Sequence, residues 1–397
     1  MLRTTPFFPR TSALCEAQNW RRWSGYLAAS SYELTHDREY WSIRNSAALL
    51  DVSPLYKYHV SGPDAARLLD RVITRDVEKT AVGQVLYTTW CDGEGKVIDD
   101  GTVSRLDDDL FRMTAADPNY RWLGDNGRGL NATIEDVSSR VAALALQGPN
   151  ARVILEQATQ QSLAGLKYFR LTTATIRGVP VTITRTGYTG DLGYEVWMPW
   201  DQGLPVWDGL VAEGATYGIT PAGMLAFDIA RIEAGLLLLD VGYTSSRRAL
   251  IEGQKSTPHE LSLEWSVALG KEFFNGHQAI RAEAAAGPEW RFVGIEVEWP
   301  SLEGVFSGFG LAPRLPGQAV RASVPLYDAN SGKQAGYASS SAWSPLLKRY
   351  IALAHVESRY ATGDTPLLLE VTVEHQRKNA RAHVRPLPFF NPARKRA

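Results

Sequence analysis

Apolar and polar positions alternate along most of this chain, and the period changes in a regular way. Residues 181–184 (Val-Thr-Ile-Thr) and 194–198 (Tyr-Glu-Val-Trp-Met) read as two strands joined by a loop with glycines at 187, 190 and 193. Runs at 48–52 and 56–60 also read as strands. Residues 60–70 (Val-Ser-Gly-Pro-Asp-Ala-Ala-Arg-Leu-Leu-Asp) switch from period two, through a Gly-Pro break, to an amphipathic helix with Pro63 near its start. The same grammar returns at 143–155, where Leu-Gln-Gly-Pro-Asn-Ala echoes Val-Ser-Gly-Pro-Asp-Ala. Hairpin-like text lies between them at 85–91, 97–104 and 110–114. Two strand–Gly-Pro–helix units predict two related α+β layers, each with helices on one face of an antiparallel sheet.

From residue 291 onward, short β-runs at 292–297, 324–328, 333–339, 350–355 and 367–373 alternate with turns, which predicts a small barrel or sandwich. The Ala/Gly-rich stretch 284–288 marks a boundary before it. Helical text covers 37–46 and 221–236, and Trp207 with Leu210 and Val211 marks another helix face; residues 4–10 read as a loop. The basic end, 394–396, reads as a solvated tail.

Composition narrows the class. At 397 residues the chain exceeds one ordinary core, and 44% hydrophobic with 21% charged residues is a globular balance. A formal net charge of −1 argues against a nucleic-acid partner. Two cysteines make no disulfide framework, and no Cys or His cluster offers a metal site. No apolar run reaches membrane-spanning length, so no membrane partner and a cytoplasmic location are expected.

Local motifs carry little chemistry by themselves. The loop 184–198 is by composition an ordinary connection, and its G-x-x-G-x-x-G spacing is not a dinucleotide fingerprint. Asp99 and Asp100 follow an Asp-Gly turn and point to opposite faces of one strand, so one of them can enter a given pocket. From that segment alone, a hairpin tip with solvated acids is the simpler reading. Asp228 and Arg231, three apart on the helix at 221–236, read as surface support.

Taken in order, however, several blocks resemble the glycine-cleavage T-protein family of tetrahydrofolate-dependent aminomethyltransferases and related demethylases. They are R-T-G-Y-T-G-D-L-G-Y-E (185–195), L-L-D-V-S (49–53), G-Q-V-L-Y (83–87), G-K-V-I-D-D (95–100), L-Q-G-P (146–149), R-I-E-A-G-L (231–236), S-P-L-L-K-R-Y-I-A-L-A (344–354) and L-P-F-F (387–390). The resemblance implies a three-domain clover-leaf: a folate-binding domain from 1–57 and 140–282, an inserted domain at 58–139, and a barrel at 283–397. It implies tetrahydrofolate in a central channel. By motif, Asp99 matches the catalytic acid, Glu195 the carboxylate that grips the pterin, Tyr87 a channel tyrosine and possible proton relay, and Arg231 the helix arginine. Tyr188 offers a ring face, and the glycines allow the backbone close to a flat ring.

The departures shape the functional expectation. Pro54-Leu55 stands where the family reads H-M, Phe227 replaces the arginine of G-A-R-D, Ala115-Ala116-Asp117 replaces V-N-A, and 237–243 (Leu-Leu-Leu-Asp-Val-Gly-Tyr) replaces C-L-Y-G. A kept folate side with a rewritten donor side resembles the demethylase branch. The expected reaction is then methyl transfer from a small O-, S- or N-methyl donor to N5 of tetrahydrofolate. The alternatives are an aminomethyltransferase served by a lipoyl carrier protein, or a folate-binding protein without catalysis.

Overall fold

In the computed structural model, which describes residues 2–396, three larger β-structures surround one cavity, beside a two-stranded hairpin of Asn19–Trp23 and Tyr26–Ser31. The first is a six-stranded sheet ordered Leu171–Ile176, Val179–Thr184, Gly193–Pro199, Val141–Gln147, Ala47–Asp51, Ile219–Pro221. The second is a five-stranded sheet ordered Val85–Cys91, Val97–Asp107, Leu110–Ala115, Tyr56–Ser61, Thr133–Asp136. The third is a closed six-stranded barrel of residues between Trp290 and Arg385. The α+β class and the C-terminal barrel agree with the sequence-based expectation. One correction concerns the sheets: Ile219–Pro221 runs parallel to Ala47–Asp51, so the first sheet is not wholly antiparallel.

The two Gly-Pro units take the shape their pattern predicts. Tyr56–Ser61 leads to the helix Ala65–Val72, which buries Ala65, Leu68, Leu69 and Val72 in one stripe. Val141–Gln147 leads to Ala151–Thr159, which buries Ala151, Ile154 and Leu155. The i, i+3, i+4 spacing places these side chains over their sheets. The N-terminus corrects the loop reading, because Phe8–Leu14 is a helix that opens with Pro in its first turn.

The helix Met224–Glu233 sits where the first sheet meets the barrel. It buries Ala226, Phe227, Ile229, Ala230 and Ile232, and also Asp228, Arg231 and Glu233. A helix buried on nearly every side must pair its charges. Glu233 is met by Arg44 of the helix Asp37–Asn45, with Nη2 2.5 Å from Oε2, by the Tyr40 hydroxyl at 2.5 Å and by the Ser344 hydroxyl of the barrel at 2.5 Å. Arg231 Nε donates to Asp228 Oδ1 at 2.8 Å, and Asp228 Oδ2 accepts from Arg321 at 2.7 Å. Asp228 and Arg231 are therefore an interior pair, not surface support. Cys15 and Cys91 are both free and buried, and no helix among the described residues is long and apolar enough to cross a membrane.

Candidate functional site

A cavity of about 1190 Å³ opens between the two sheets, the buried helix and the barrel. Its wall carries Tyr87, Asp100, Tyr188, Glu195 and Arg231. Four of the five candidate residues named from sequence therefore share one space. The fifth, Asp99, does not.

The acid pair shows why. Val85–Cys91 and Val97–Asp107 form an antiparallel hairpin in which Trp90 faces Asp99, Thr89 faces Asp100 and Tyr87 faces Thr102. Directly paired residues share a face, as do residues two apart. Asp100 thus lies on the Tyr87 face and Asp99 on the Trp90 face. Near the turn, Cys91 pairs with Val97, and the register shifts between Trp90 and Cys91. Counting back from the turn without that bulge puts Asp99 beside Tyr87; the bulge exchanges the two acids. The motif match gave the role of acid to Asp99, but it is Asp100 that lies on the cavity wall.

Asp99 is fully buried and occupied elsewhere. Its Oδ2 accepts from the Asn119 amide at 2.9 Å and the Asp117 backbone N–H at 3.0 Å, while Oδ1 accepts from the Asp100 N–H at 2.8 Å. Asn119 is also the acceptor for Trp90 Nε1 at 3.1 Å. Burial, then the neighbouring charge of Asp100, pushes the Asp99 carboxyl well above the ordinary carboxylate range against these donors. It braces the loop after Leu110–Ala115.

Asp100 faces the cavity with both oxygens engaged. Tyr87 donates to Oδ2 at 2.8 Å, and Tyr243 donates to Oδ1 at 2.5 Å. Burial raises this carboxyl too, while the Tyr243 and Tyr87 hydrogen bonds pull it back. Trp265 stacks on the Tyr87 ring with centroids 5.8 Å apart, at the cavity wall.

Glu195 belongs to Gly193–Pro199 and stands opposite Thr184 and Ala145. The Thr186 hydroxyl donates to its Oε2 at 2.9 Å. Burial is the main cause of its raised pKa, opposed by Thr186 and by Arg112 from the second sheet. Arg112 is itself buried, its guanidinium lying 4.1 Å over the Trp197 ring, and burial lowers its pKa to about 10. A carboxylate that keeps free lone pairs toward a cavity can accept a fork of N–H donors. Tyr188 packs its ring at 5.2 Å from Phe227, so the position that departs from G-A-R-D helps make an aromatic wall.

The glycine loop is also packed closely on protein. A side-chain carbon at Gly187 or at Gly193 would collide with the buried Gln147 amide, and one at Gly190 would collide with Ala234. Gln147 donates to the Thr186 and Tyr194 carbonyls and accepts from Thr189, so it pins the loop from beneath. Close packing on protein requires these glycines.

The model of the GCVT N-terminal domain matches residues 10–271, and that of the glycine cleavage T-protein C-terminal barrel domain matches 308–391. The aminomethyltransferase of Halothermothrix orenii is 32% identical over 89% of this chain and 90% of its own length. That of Thermoanaerobacter sp. is 34% identical over 81% of this chain and 82% of its own. The chain belongs to the glycine cleavage T-protein family. A crystal structure of glycine cleavage system aminomethyltransferase T from Bartonella henselae superposes with a TM-score of 0.83 over 98% of this chain and 99% of that one; at 24% identity it speaks for the fold.

Within this T-protein-family chain, three contributors to the site escaped the sequence reading. Tyr243 lies in the rewritten loop, where no pattern marks it. Arg112 sits in a strand read only as part of a hairpin. The basic tail is not a solvated end: Arg394 pairs with buried Asp191 at 2.6 Å, while Lys395 and Arg396 line the cavity. Alternation within 110–115 and the unusual run of tail cations were the available signals for the last two.

Proposed function

We propose that this protein is a one-carbon transferase that uses tetrahydrofolate as acceptor. The observation that carries this reading is the placement of two differently supported carboxylates, Asp100 and Glu195, on one large cavity. Ordinary ligand pockets span roughly 300–1,000 Å³, so a cavity of about 1190 Å³ has room for a folate and a second substrate. In this reading Glu195 accepts from the pterin N–H fork and Tyr188 covers a ring face. Arg231 lies on the same wall as a further folate contact. Asp100 faces the reacting amine, supported by Tyr87. The reading moves the acid from Asp99 to Asp100.

The first reading of the donor is an aminomethyl group on a lipoyl carrier protein, with ammonia released. It is supported by relatives named aminomethyltransferase that match over most of both chains. The second is methyl transfer from a small O-, S- or N-methyl compound. It is favoured by the rewritten donor side, where Phe227 and the loop carrying Tyr243 stand in place of the usual G-A-R-D and C-L-Y-G. In either case the transfer gains from holding the two substrates in line.

One experiment separates them. The protein is incubated with tetrahydrofolate and either an aminomethylated lipoyl carrier protein or a panel of methylated donors, and the folate product is weighed. Methylenetetrahydrofolate with ammonia supports the first reading, and 5-methyltetrahydrofolate the second. Tetrahydrofolate binding without either product leaves a binding protein. No binding at all overturns the proposal.

A further inference from the structure

The loop 237–243 is fixed from two sides. Within it, the Asp240 N–H donates to the Tyr243 carbonyl at 2.8 Å, and Leu239 bridges to Tyr243. From the barrel, His355 Nε2 lies 2.6 Å from the Gly242 carbonyl. His355 is buried, stacked on Tyr337 and edge-on to Phe292, so it cannot easily release that carbonyl. The backbone next to Tyr243 is thereby set by a different structural unit from the one that holds Asp100. What it delivers is a buried phenol, 4% exposed, with its oxygen 2.5 Å from Asp100 Oδ1.

We propose that Tyr243 is a positioning residue for Asp100: with Tyr87 it fixes the carboxylate plane and holds the group ionised at the cavity wall. A carboxylate offers about four lone-pair sites. The two phenols occupy one on each oxygen, which removes rotation about the side chain and leaves the remaining sites for a substrate N–H. The chemistry of the supports matters as well. A Lys or Arg would hold the carboxylate but cancel its charge toward the cavity. Phenols stabilise the negative charge without cancelling it, so Asp100 is a preorganised anion. Its role in the proposed transfer is then to stabilise positive charge developing on the folate amine or the donor, ahead of any proton transfer.

The other ionisable groups near Asp100 fit this arrangement. Tyr188, from the glycine loop, is close enough that the Asp100 charge acts on its phenol. Asp99, on the opposite face of the strand, repels Asp100, and Asp99 is in turn near the Arg247 guanidinium. Neither group hydrogen-bonds the Asp100 oxygens; Tyr87 and Tyr243 do.

The catalytic meaning of this arrangement rests on the one-carbon transfer reading, but its test does not need a substrate. Protein labelled with 13C at the aspartate carboxyl carbon is titrated by NMR, and Asp100→Asn identifies the resonance. Losing one phenolic donor should raise the Asp100 midpoint by about one to two pH units in Tyr243→Phe, and similarly in Tyr87→Phe. The ring remains in both, so packing is retained. Should Tyr243→Phe not fold, 3-fluorotyrosine in place of Tyr243 is a stronger donor and should lower the midpoint. An Asp100 midpoint unmoved in these variants, whatever happens to the melting temperature, means that Tyr243 only packs, and overturns the proposal. A protein that shows the shift yet binds no tetrahydrofolate would retain the clamp and lose the folate reading.

Discussion

Arg44 and Glu233 meet inside the protein with the shorter of their contacts at 2.5 Å, both side chains about 1% exposed or less. The pair joins the helix Asp37–Asn45 to the buried helix Met224–Glu233. Ser344 ties it to the barrel, and Arg44 reaches the glycine loop through the Thr189 carbonyl at 2.9 Å. Glu233 lies in the R-I-E-A-G-L block that the family resemblance rests on, two residues from the cavity-lining Arg231. Its work is to hold three structural units at the angle that leaves a cavity between them.

Glu233→Gln is therefore expected to weaken the fold rather than the chemistry. Breaking one partner of a buried pair costs about 3–5 kcal/mol, and because Arg44 keeps the buried Asp191 carboxylate at 3.6 Å the lower end of that range is expected. The denaturant midpoint should fall accordingly. A variant that unfolds like the parent would mean that water or a neighbour replaces the lost charge.

Asp100→Asn and Asp99→Asn should separate chemistry from scaffold. In Asp100→Asn, turnover with the donor that proves active should fall by roughly 10²–10⁴-fold, the contribution of a positioned acid–base or charged group. Tetrahydrofolate affinity should change little, since the pterin fork is assigned to Glu195. In Asp99→Asn, the amide presents a donor toward the Asn119 amide and the Asp117 N–H, so stability is expected to drop first. Turnover lost in Asp99→Asn with the melting temperature intact, and kept in Asp100→Asn, would return the role to Asp99.

Much of the architecture was legible because it depends on period and punctuation. The Gly-Pro units and most of the barrel strands follow from alternation and turn residues. The last barrel strand, Gln376–Arg385, escaped because its first four positions are all exposed and polar; only Ala380, Ala382 and Val384 alternate inward. The site was less legible for two physical reasons. A β-bulge at Trp90–Cys91 leaves no mark in composition, yet it decides which acid meets the cavity. Tyr243, Arg112 and Lys395 come from distant segments, and their convergence depends on how three units dock. Family resemblance named Glu195, Tyr87, Tyr188 and Arg231, which line the cavity, and also Asp99, which does not.

Glu195→Gln should weaken tetrahydrofolate binding by about 1.5–3 kcal/mol, the value of a hydrogen bond to a charged group. The pH dependence has a definite sign. Burial holds the Glu195 pKa above the usual glutamate value, so the accepting carboxylate is lost on acidification earlier than an exposed glutamate would be. Affinity should fall as pH drops through that raised pKa. Arg112 opposes the rise, so Arg112→Met should move the loss to still higher pH. Calorimetric titration across pH measures both; a pH profile that does not move in Arg112→Met would uncouple the two residues.

His355 makes the stability of the fold depend on pH. Burial pushes its pKa down from 6.5 to about 4, with the Gly242 carbonyl opposing. In the unfolded chain the imidazole takes up a proton near pH 6.5, whereas the folded protein resists until about pH 4. Between these values the unfolded state binds more protons, so stability rises with pH in that window. The contribution is fully present above pH 6.5 and is lost progressively as pH falls toward 4. A shift of this size corresponds to about 3 kcal/mol. His355→Gln can keep a donor toward the Gly242 carbonyl but cannot titrate. Its unfolding free energy should therefore lose that part of the slope between pH 6.5 and 4, even if the variant is less stable throughout. Urea denaturation at a series of pH values reads the slope directly. Equal slopes in the parent and in His355→Gln would show that His355 takes up its proton in the folded state as readily as in the unfolded one, and that the barrel does not shield it.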